Sequence, residues 1–206
     1  MHATARSDPR FAPANVFVHV RARLTLTPEA QGAEGAARDP NAAACPAAVL
    51  IALAGYKDEV RVILTQRTKA LRVHSGQIAF PGGKIDAQDE SPAAAALREA
   101  HEEIGLDARH VEPLGYLDPF STGTGFRIIP VVAKVTPPLT LKINPDEVDE
   151  AFEVPFAFLM DAANHTEHIR EFEGKLRRFH AMPYGTRNIW GATAGILRNL
   201  YERLYS

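Results

Sequence analysis

The chain has 206 residues, 46% of them apolar and 23% charged, which fits one ordinary globular domain with a sizeable core. Its 23 basic and 25 acidic residues leave a net charge of −2, so no general electrostatic pull toward nucleic acid or an anionic membrane surface is expected. The single cysteine, Cys45, excludes an internal disulfide framework and a cysteine-rich zinc site; in its alanine-rich setting it reads as a small apolar filler. No apolar run is long enough to span a bilayer, and "MHATARSDPRFAPANVF" lacks the apolar core of a signal peptide. A cytoplasmic location is the expectation.

In chain order, "VFVHVRARLTL" alternates and reads as a strand or extended segment. Residues 28–44 are small, polar and rich in Pro and Gly, and read as a mobile loop. "AAVLIALA" (47–54) and "EVRVILTQR" (59–67) are strand-like and joined around "GYKD", which predicts a hairpin. "QIAFPGG" is a short strand interrupted by Pro81-Gly82-Gly83. A helix follows, with Ser91 as N-cap, Pro92 at its first position and Gly105 as its left-handed terminator. "VEPLGYLD", "FRIIPVVAKV" and "LRRFHAMPY" read as strands. "NPDEVDEAFEVPFAFLM" reads as an acidic loop with a short helix, and "IWGATAGILRNLYERLY" as a C-terminal amphipathic helix with Trp190 in the core. Strands and helices without regular βαβ alternation predict an α+β fold.

The chemistry concentrates in "GGKIDAQDESPAAAALREAHEEIGL", Gly82 to Leu106. Glu99, Glu102 and Glu103 are spaced i, i+3 and i+4, which places them on one helical face. That placement is costly. Glu99 and Glu103 repel by about 0.2–0.5 kcal/mol, and a carboxylate in a last helical turn opposes the helix dipole by about 0.3–1 kcal/mol. Arg98 can pair with Glu102 at i+4. A solvated charged face is the plain explanation; a divalent cation site is the functional one, because Mg²⁺ or Mn²⁺ takes a few carboxylates, waters and substrate phosphates.

Gly82–Leu106 resembles the Nudix box, whose pattern is Gly, five residues, Glu, seven residues, then Arg-Glu-apolar-x-Glu-Glu-x-Gly-apolar. Arg98-Glu99-Ala100-His101-Glu102-Glu103-Ile104-Gly105-Leu106 matches the second half fully. The first half departs: the loop carries one extra residue, with Asp86 and Asp89 where glutamate is common. "ILTQRTKALRVHSGQIAFPGGK" is similar to the segment before the box in the coenzyme A pyrophosphatases of this superfamily, with Thr68 in place of the commoner Ser. "FSTGTGFRIIPVVA", "NPDEVDEAFEVPFAFL" and "IWGATAGIL" are similar to the same subgroup, so the likeness spans roughly residues 47–200.

The resemblance implies a mixed β-sheet sandwiched between helices (α/β/α) over 47–206, preceded by an N-terminal extension, 1–46. It implies metal-dependent hydrolysis of the pyrophosphate of coenzyme A or a derivative, with ADP-ribose, NADH or a nucleoside triphosphate as the alternative substrate. A non-catalytic nucleotide-binding module is the third reading; retention of all three helix glutamates speaks against it. Metal ligands would be Glu99, Glu102, Glu103 and the Gly83 carbonyl, holding Mg²⁺ or Mn²⁺. Arg98 would orient the glutamates. The general base stays open among Glu102, Glu103, Glu147 and Glu150. Arg67, Lys69, Arg72 and His74 are the candidate substrate-binding residues, and the turn Thr122-Gly123-Thr124-Gly125 is a weaker one. A small nucleotide substrate is implied, with no nucleic acid and no membrane; a homodimer is admitted.

Overall fold

A computed structural model describes residues 8–28, 44–69, 75–172 and 175–206. In chain order the elements are α1 (Pro13–Arg23), β1 (Cys45–Gly55), β2 (Val60–Arg67), β3 (Ile78–Ala79), β4 (Gly82–Lys84), α2 (Pro92–Ile104), β5 (Val111–Tyr116), β6 (Phe120–Ser121), β7 (Phe126–Val135), β8 (Val148–Pro155), α3 (Phe156–Leu159), β9 (Thr166–Phe172), β10 (Lys175–Tyr184), β11 (Arg187–Trp190) and α4 (Ala192–Tyr205).

The first strand organises the rest. β7 runs parallel to β1, from Cys45 opposite Phe126 to Ala54 opposite Val135. On its other edge β1 pairs antiparallel with β2 near its C-terminal end and with β4 near its N-terminal end, where Val49 faces Gly82 and Ala48 faces Gly83. β3 and β8 flank β2, and β5 and β6 flank β7, which completes an eight-stranded mixed sheet; β9, β10 and β11 form a separate three-stranded one.

The period of two along β1 sends alternate side chains to opposite layers. Ile51 and Leu53 join Val16 and Val20 of α1, Phe156 and Leu159 of α3, and Ile196, Leu197 and Leu200 of α4. Ala48, Leu50, Ala52 and Ala54 face Ala95, Ala96, Ala100 and Ile104 of α2. Helices therefore cover both faces of the sheet, the sandwich that the resemblance implied. Alanine on both sides of the second interface lets α2 approach the sheet closely, and this sets the height of its glutamates above β4.

The predicted hairpin forms, and α2 begins and ends where its capping residues placed it. Ser91 Oγ accepts from Ala94 N at 3.1 Å, and Gly105, at φ 65°, donates its N–H back to the last turn. Two expectations are corrected. The alternating segment after residue 15 is helical through Arg23: Pro13 starts the helix, and Val16 and Val20, one turn apart and both fully buried, form its inward face. Only its end is extended, with Thr25 bridging Tyr116. The acidic loop is shorter than expected, because Val148–Pro155 is a strand; Arg187 pairs with its Glu150 and the Tyr56 hydroxyl donates to its Glu153. Most of the predicted mobile loop, 29–43, lies outside the described residues. Among the described residues no helix is long and apolar enough to cross a membrane.

Because α1 supplies fully buried side chains to the main core, Val20→Ala should cost about 1–3 kcal/mol of folding free energy from lost burial and the cavity left behind. Urea denaturation of wild type and variant measures it; an unchanged midpoint would mean that α1 contributes nothing to the fold.

Candidate active site

Two glycines bring the loop before α2 under the glutamates. Gly82 has φ 153°, and a Cβ there would strike the Ala48 carbonyl oxygen of β1. A Cβ on Gly83 would lie 2.5 Å from both carboxylate oxygens of Glu99. Only glycine allows this backbone to press against that carboxylate.

The three glutamates share a face as their spacing requires, but not an environment. Glu103 is 2% exposed. Its Oε2 accepts from Gly82 N at 3.2 Å, and its Oε1 lies 3.5 Å from Arg67 Nη1. Burial pushes its carboxyl up to about 7; Gly82 N–H and Arg67 oppose the rise, while Glu147 and Glu99 add to it. Glu99 is partly buried and also raised, again chiefly by burial, against the opposing pull of Arg98 and with Glu102 and Glu147 as repulsive neighbours. Glu102 is exposed.

Arg98 ties the loop to the helix. It donates from Nε and Nη2 to the two oxygens of Asp89, each at 3.0 Å, and from Nη2 to the Lys84 carbonyl at 3.1 Å. Its Nη1 reaches Glu99 Oε1 at 3.0 Å and Glu102 Oε2 at 3.2 Å. Asp89 also accepts from Asp86 N at 2.8 Å, and its carboxyl is held below the ordinary range, first by the bonds from Arg98. Asp89 in the one-residue-longer loop thus serves as the arginine's partner.

Glu147 joins Glu99 and Glu103 electrostatically, whereas Glu150 turns away to pair with Arg187 Nη2 at 2.5 Å. Asn144 fixes this arrangement. Its N–H donates to the Glu103 carbonyl at 2.8 Å, and its side chain donates to Glu147 Oε1 at 3.2 Å.

Of the candidate substrate residues, Arg67 stands at the site, with Nε buried and without a hydrogen-bond partner among the described residues. Lys69 is exposed, its backbone N–H donating to Asp149 at 3.4 Å. Arg72 and His74 lie outside the described residues. Residues 122–125 form the turn between β6 and β7, with the Thr122 hydroxyl bonded to Phe126 N at 3.0 Å and to the Thr124 hydroxyl at 3.0 Å. Trp190 is a correction: it is 39% exposed rather than core, and it lines a cleft of about 420 Å³ together with Gln66, Glu150, Arg187 and Asn188. β11 carries it; an apolar spacing that ran on into α4 concealed the strand.

The donor set suits a hard divalent cation. Among the described residues no three acidic, histidine or cysteine side chains form a closed metal cage. Mg²⁺ does not need one, since it keeps several waters and binds through one or two carboxylates and substrate phosphates. Two carboxyls raised by burial, with Gly83 backbone packed against one of them, are groups whose charged forms a cation would stabilise.

The NUDIX domain family model matches residues 45–173. The chain belongs to the Nudix family. It is 40% identical over 154 residues to an uncharacterized Nudix hydrolase, NudL, of Escherichia coli K12, covering 75% of this chain and 80% of that protein. The NudL of Salmonella paratyphi B matches with the same identity and coverage. Among solved structures, the NUDIX domain of Shewanella oneidensis NrtR complexed with ADP ribose aligns with TM-score 0.51 at 18% identity, over 81% of this chain and 94% of that one. DR0079 of Deinococcus radiodurans aligns with TM-score 0.51 at 16% identity, over 89% and 99%. These structural likenesses concern the fold; family and relatives together make the chain a Nudix pyrophosphohydrolase.

A buried carboxyl raised to about 7 has a signature in stability. The native state of the metal-free protein holds the Glu103 proton more tightly than the unfolded chain does. That contribution is complete below the ordinary glutamate value of 4.5 and is lost as pH rises through about 7. In chelator, Glu103→Gln should therefore match wild type in Tm near pH 4 and exceed it increasingly up to about pH 7, by about 2–4 °C for each kcal/mol recovered. A constant Tm difference from pH 4 to 8, by scanning calorimetry, would contradict the raised carboxyl.

Proposed function

We propose that this Nudix pyrophosphohydrolase cleaves the pyrophosphate of coenzyme A or a derivative, giving 4′-phosphopantetheine and adenosine 3′,5′-bisphosphate. The observation that carries the reading is the position of Arg67. It ends β2 with one nitrogen 3.5 Å from buried Glu103, and it opens the segment bearing Lys69, Arg72 and His74. That segment is the part of the sequence that resembles coenzyme A pyrophosphatases.

Glu99, Glu103 and the Gly83 carbonyl, with Glu102 at the rim, would hold Mg²⁺ or Mn²⁺. When bound, the cation supplies positive charge against the phosphate oxygens and acidifies water. The chain's own groups do the rest. Arg98 fixes Glu99 and Glu102 in place, so that no reorganisation is required when charge develops. Arg67 offers a guanidinium to a phosphate oxygen. Glu147, held by Asn144, faces the buried pair and is the carboxylate best placed to take a proton from attacking water. Glu150 is set aside for that role because Arg187 holds it.

Three outcomes are expected. Glu103→Gln should lose roughly a hundredfold or more in kcat, the scale for removing one transition-state stabiliser, and chelator should abolish activity until Mg²⁺ or Mn²⁺ is restored; full activity in excess chelator would rule out the mechanism. Incubation with coenzyme A should release the two products named, read by chromatography. Dephospho-coenzyme A should be cleaved about 10- to 150-fold less efficiently in kcat/KM, since it lacks one charge-assisted contact, and Arg67→Ala should narrow that gap. Better turnover of ADP-ribose than of coenzyme A would overturn the substrate while leaving the carboxylate site standing.

A further inference from the structure

The 420 Å³ cleft is not over the glutamates: Glu99, Glu102 and Glu103 do not line it. It opens where β2, β3 and β11 meet, on the side of the sheet that carries α4. Two features join it to the reacting centre. Side chains alternate along β2, with Val62 and Leu64 in the layer of α4 and Ile63 in that of α2, so adjacent residues serve opposite faces: Gln66 lines the cleft and Arg67 meets Glu103. The buried Thr193 hydroxyl, in the first turn of α4 just after β11, donates to the Ile78 carbonyl at 3.0 Å and ties that helix start to β3. Ile78 lines the cleft, and the same segment runs on to Gly82, which holds Glu103.

The chemistry of the lining is specific. Trp190 presents an indole that is 39% exposed and buttressed edge-on by Phe179, with ring centroids 6.0 Å apart. Around it stand Gln66, whose side-chain amide donates to the Gly76 carbonyl at 3.4 Å, Asn188, and the Glu150–Arg187 pair. Arg187 is itself immobilised, its guanidinium 4.3 Å from the Phe152 ring centroid and its Nη2 on Glu150. One flat apolar wall with donors and acceptors at its edge matches a planar, hydrogen-bonding heterocycle and gives little to a flexible aliphatic chain. Residues 187–190 lie beyond the matched family segment, 45–173.

We infer that this cleft binds the adenine of the nucleotide substrate, with Trp190 as its stacking wall and Gln66 and Asn188 reading its edge. The inference rests on the pyrophosphohydrolase reading for the presence of a nucleotide, and it assigns the adenosine half of coenzyme A to the α4 side of the sheet.

Trp190 is the only tryptophan of the chain, so its fluorescence reports the cleft directly. Adenosine 3′,5′-bisphosphate titrated into wild-type protein in chelator should quench it saturably, and 4′-phosphopantetheine should leave it unchanged. By calorimetry, Trp190→Ala should weaken adenosine 3′,5′-bisphosphate binding roughly 5- to 150-fold, the scale of one base–aromatic stack, and Trp190→Phe should restore most of it. With coenzyme A turning over, Trp190→Ala should raise KM more than it lowers kcat. Quenching by 4′-phosphopantetheine alone, or wild-type affinity in Trp190→Ala, would overturn the assignment even if coenzyme A is hydrolysed. Quenching by adenosine 3′,5′-bisphosphate without any coenzyme A hydrolysis would support the adenine cleft and remove the coenzyme A reading instead.

Discussion

A carboxylate 2% exposed is the constraint around which this molecule is arranged. Burying an ionised glutamate without partners costs several kcal/mol, and Glu103 also stands in the last turn of α2, where the helix dipole opposes it. Its surroundings offset the cost only in part. One backbone N–H and one guanidinium 3.5 Å away leave its carboxyl near 7, poised between charged and neutral. A purely structural site would be completed with a closer arginine or replaced by an apolar side chain. Incomplete compensation is what a site needs if a cation and phosphates are to complete it.

The fold supplies that constraint by subtraction. Ala48, Ala52 and Ala54 on β1 and Ala95, Ala96 and Ala100 on α2 remove the bulk that would hold helix and sheet apart. Gly82 and Gly83 remove it again at the loop, so that backbone lies against the Glu99 carboxylate. Larger side chains at these places would bury more apolar area and strengthen the core, but would lift α2 away from β4. Arg98 then fixes what close packing permits, joining Lys84 and Asp89 of the loop to Glu99 and Glu102 of the helix.

Much of this was legible in the sequence because it rests on local rules. Ser91, Pro92 and Gly105 bound α2 as helix caps do anywhere, and the i, i+3, i+4 spacing fixes the glutamates to one face before any tertiary contact is known. What was not legible depends on partners distant in sequence. "VFVHVRAR" alternates like a strand; it is a helix because Val16 and Val20 find a core built by α3 and α4. The acidic stretch around residue 150 looks like a solvated loop, yet pairing with β2 makes it a strand, and Arg187 and Tyr56 satisfy its carboxylates. Equal spacing of Asp and Glu in that stretch gives no sign that Glu147 turns toward the site while Glu150 turns away. The extra residue Asp149 of β8, between the pairs Gln66–Glu150 and Arg67–Val148, puts Val148 in the layer of α2 although Glu150, two residues on, lines the cleft.

The two faces of β2 have a wider consequence. In a regular strand, neighbouring side chains alternate between faces and neither can be moved without the other. At the end of β2 that alternation sends Arg67 to Glu103 and leaves Gln66 with the cleft on the α4 side. Phosphate chemistry and base recognition make opposite demands on their surroundings. The first wants buried charge and a place for a cation; the second wants a flat apolar wall with neutral hydrogen-bonding edges. Adjacent residues on one strand, facing opposite sides of the sheet, let a single strand end serve both demands. The same division explains how the extra residue of the loop before α2 is accommodated. Asp89, bonded to Arg98, belongs wholly to the charged side, and nothing in that loop reaches the cleft.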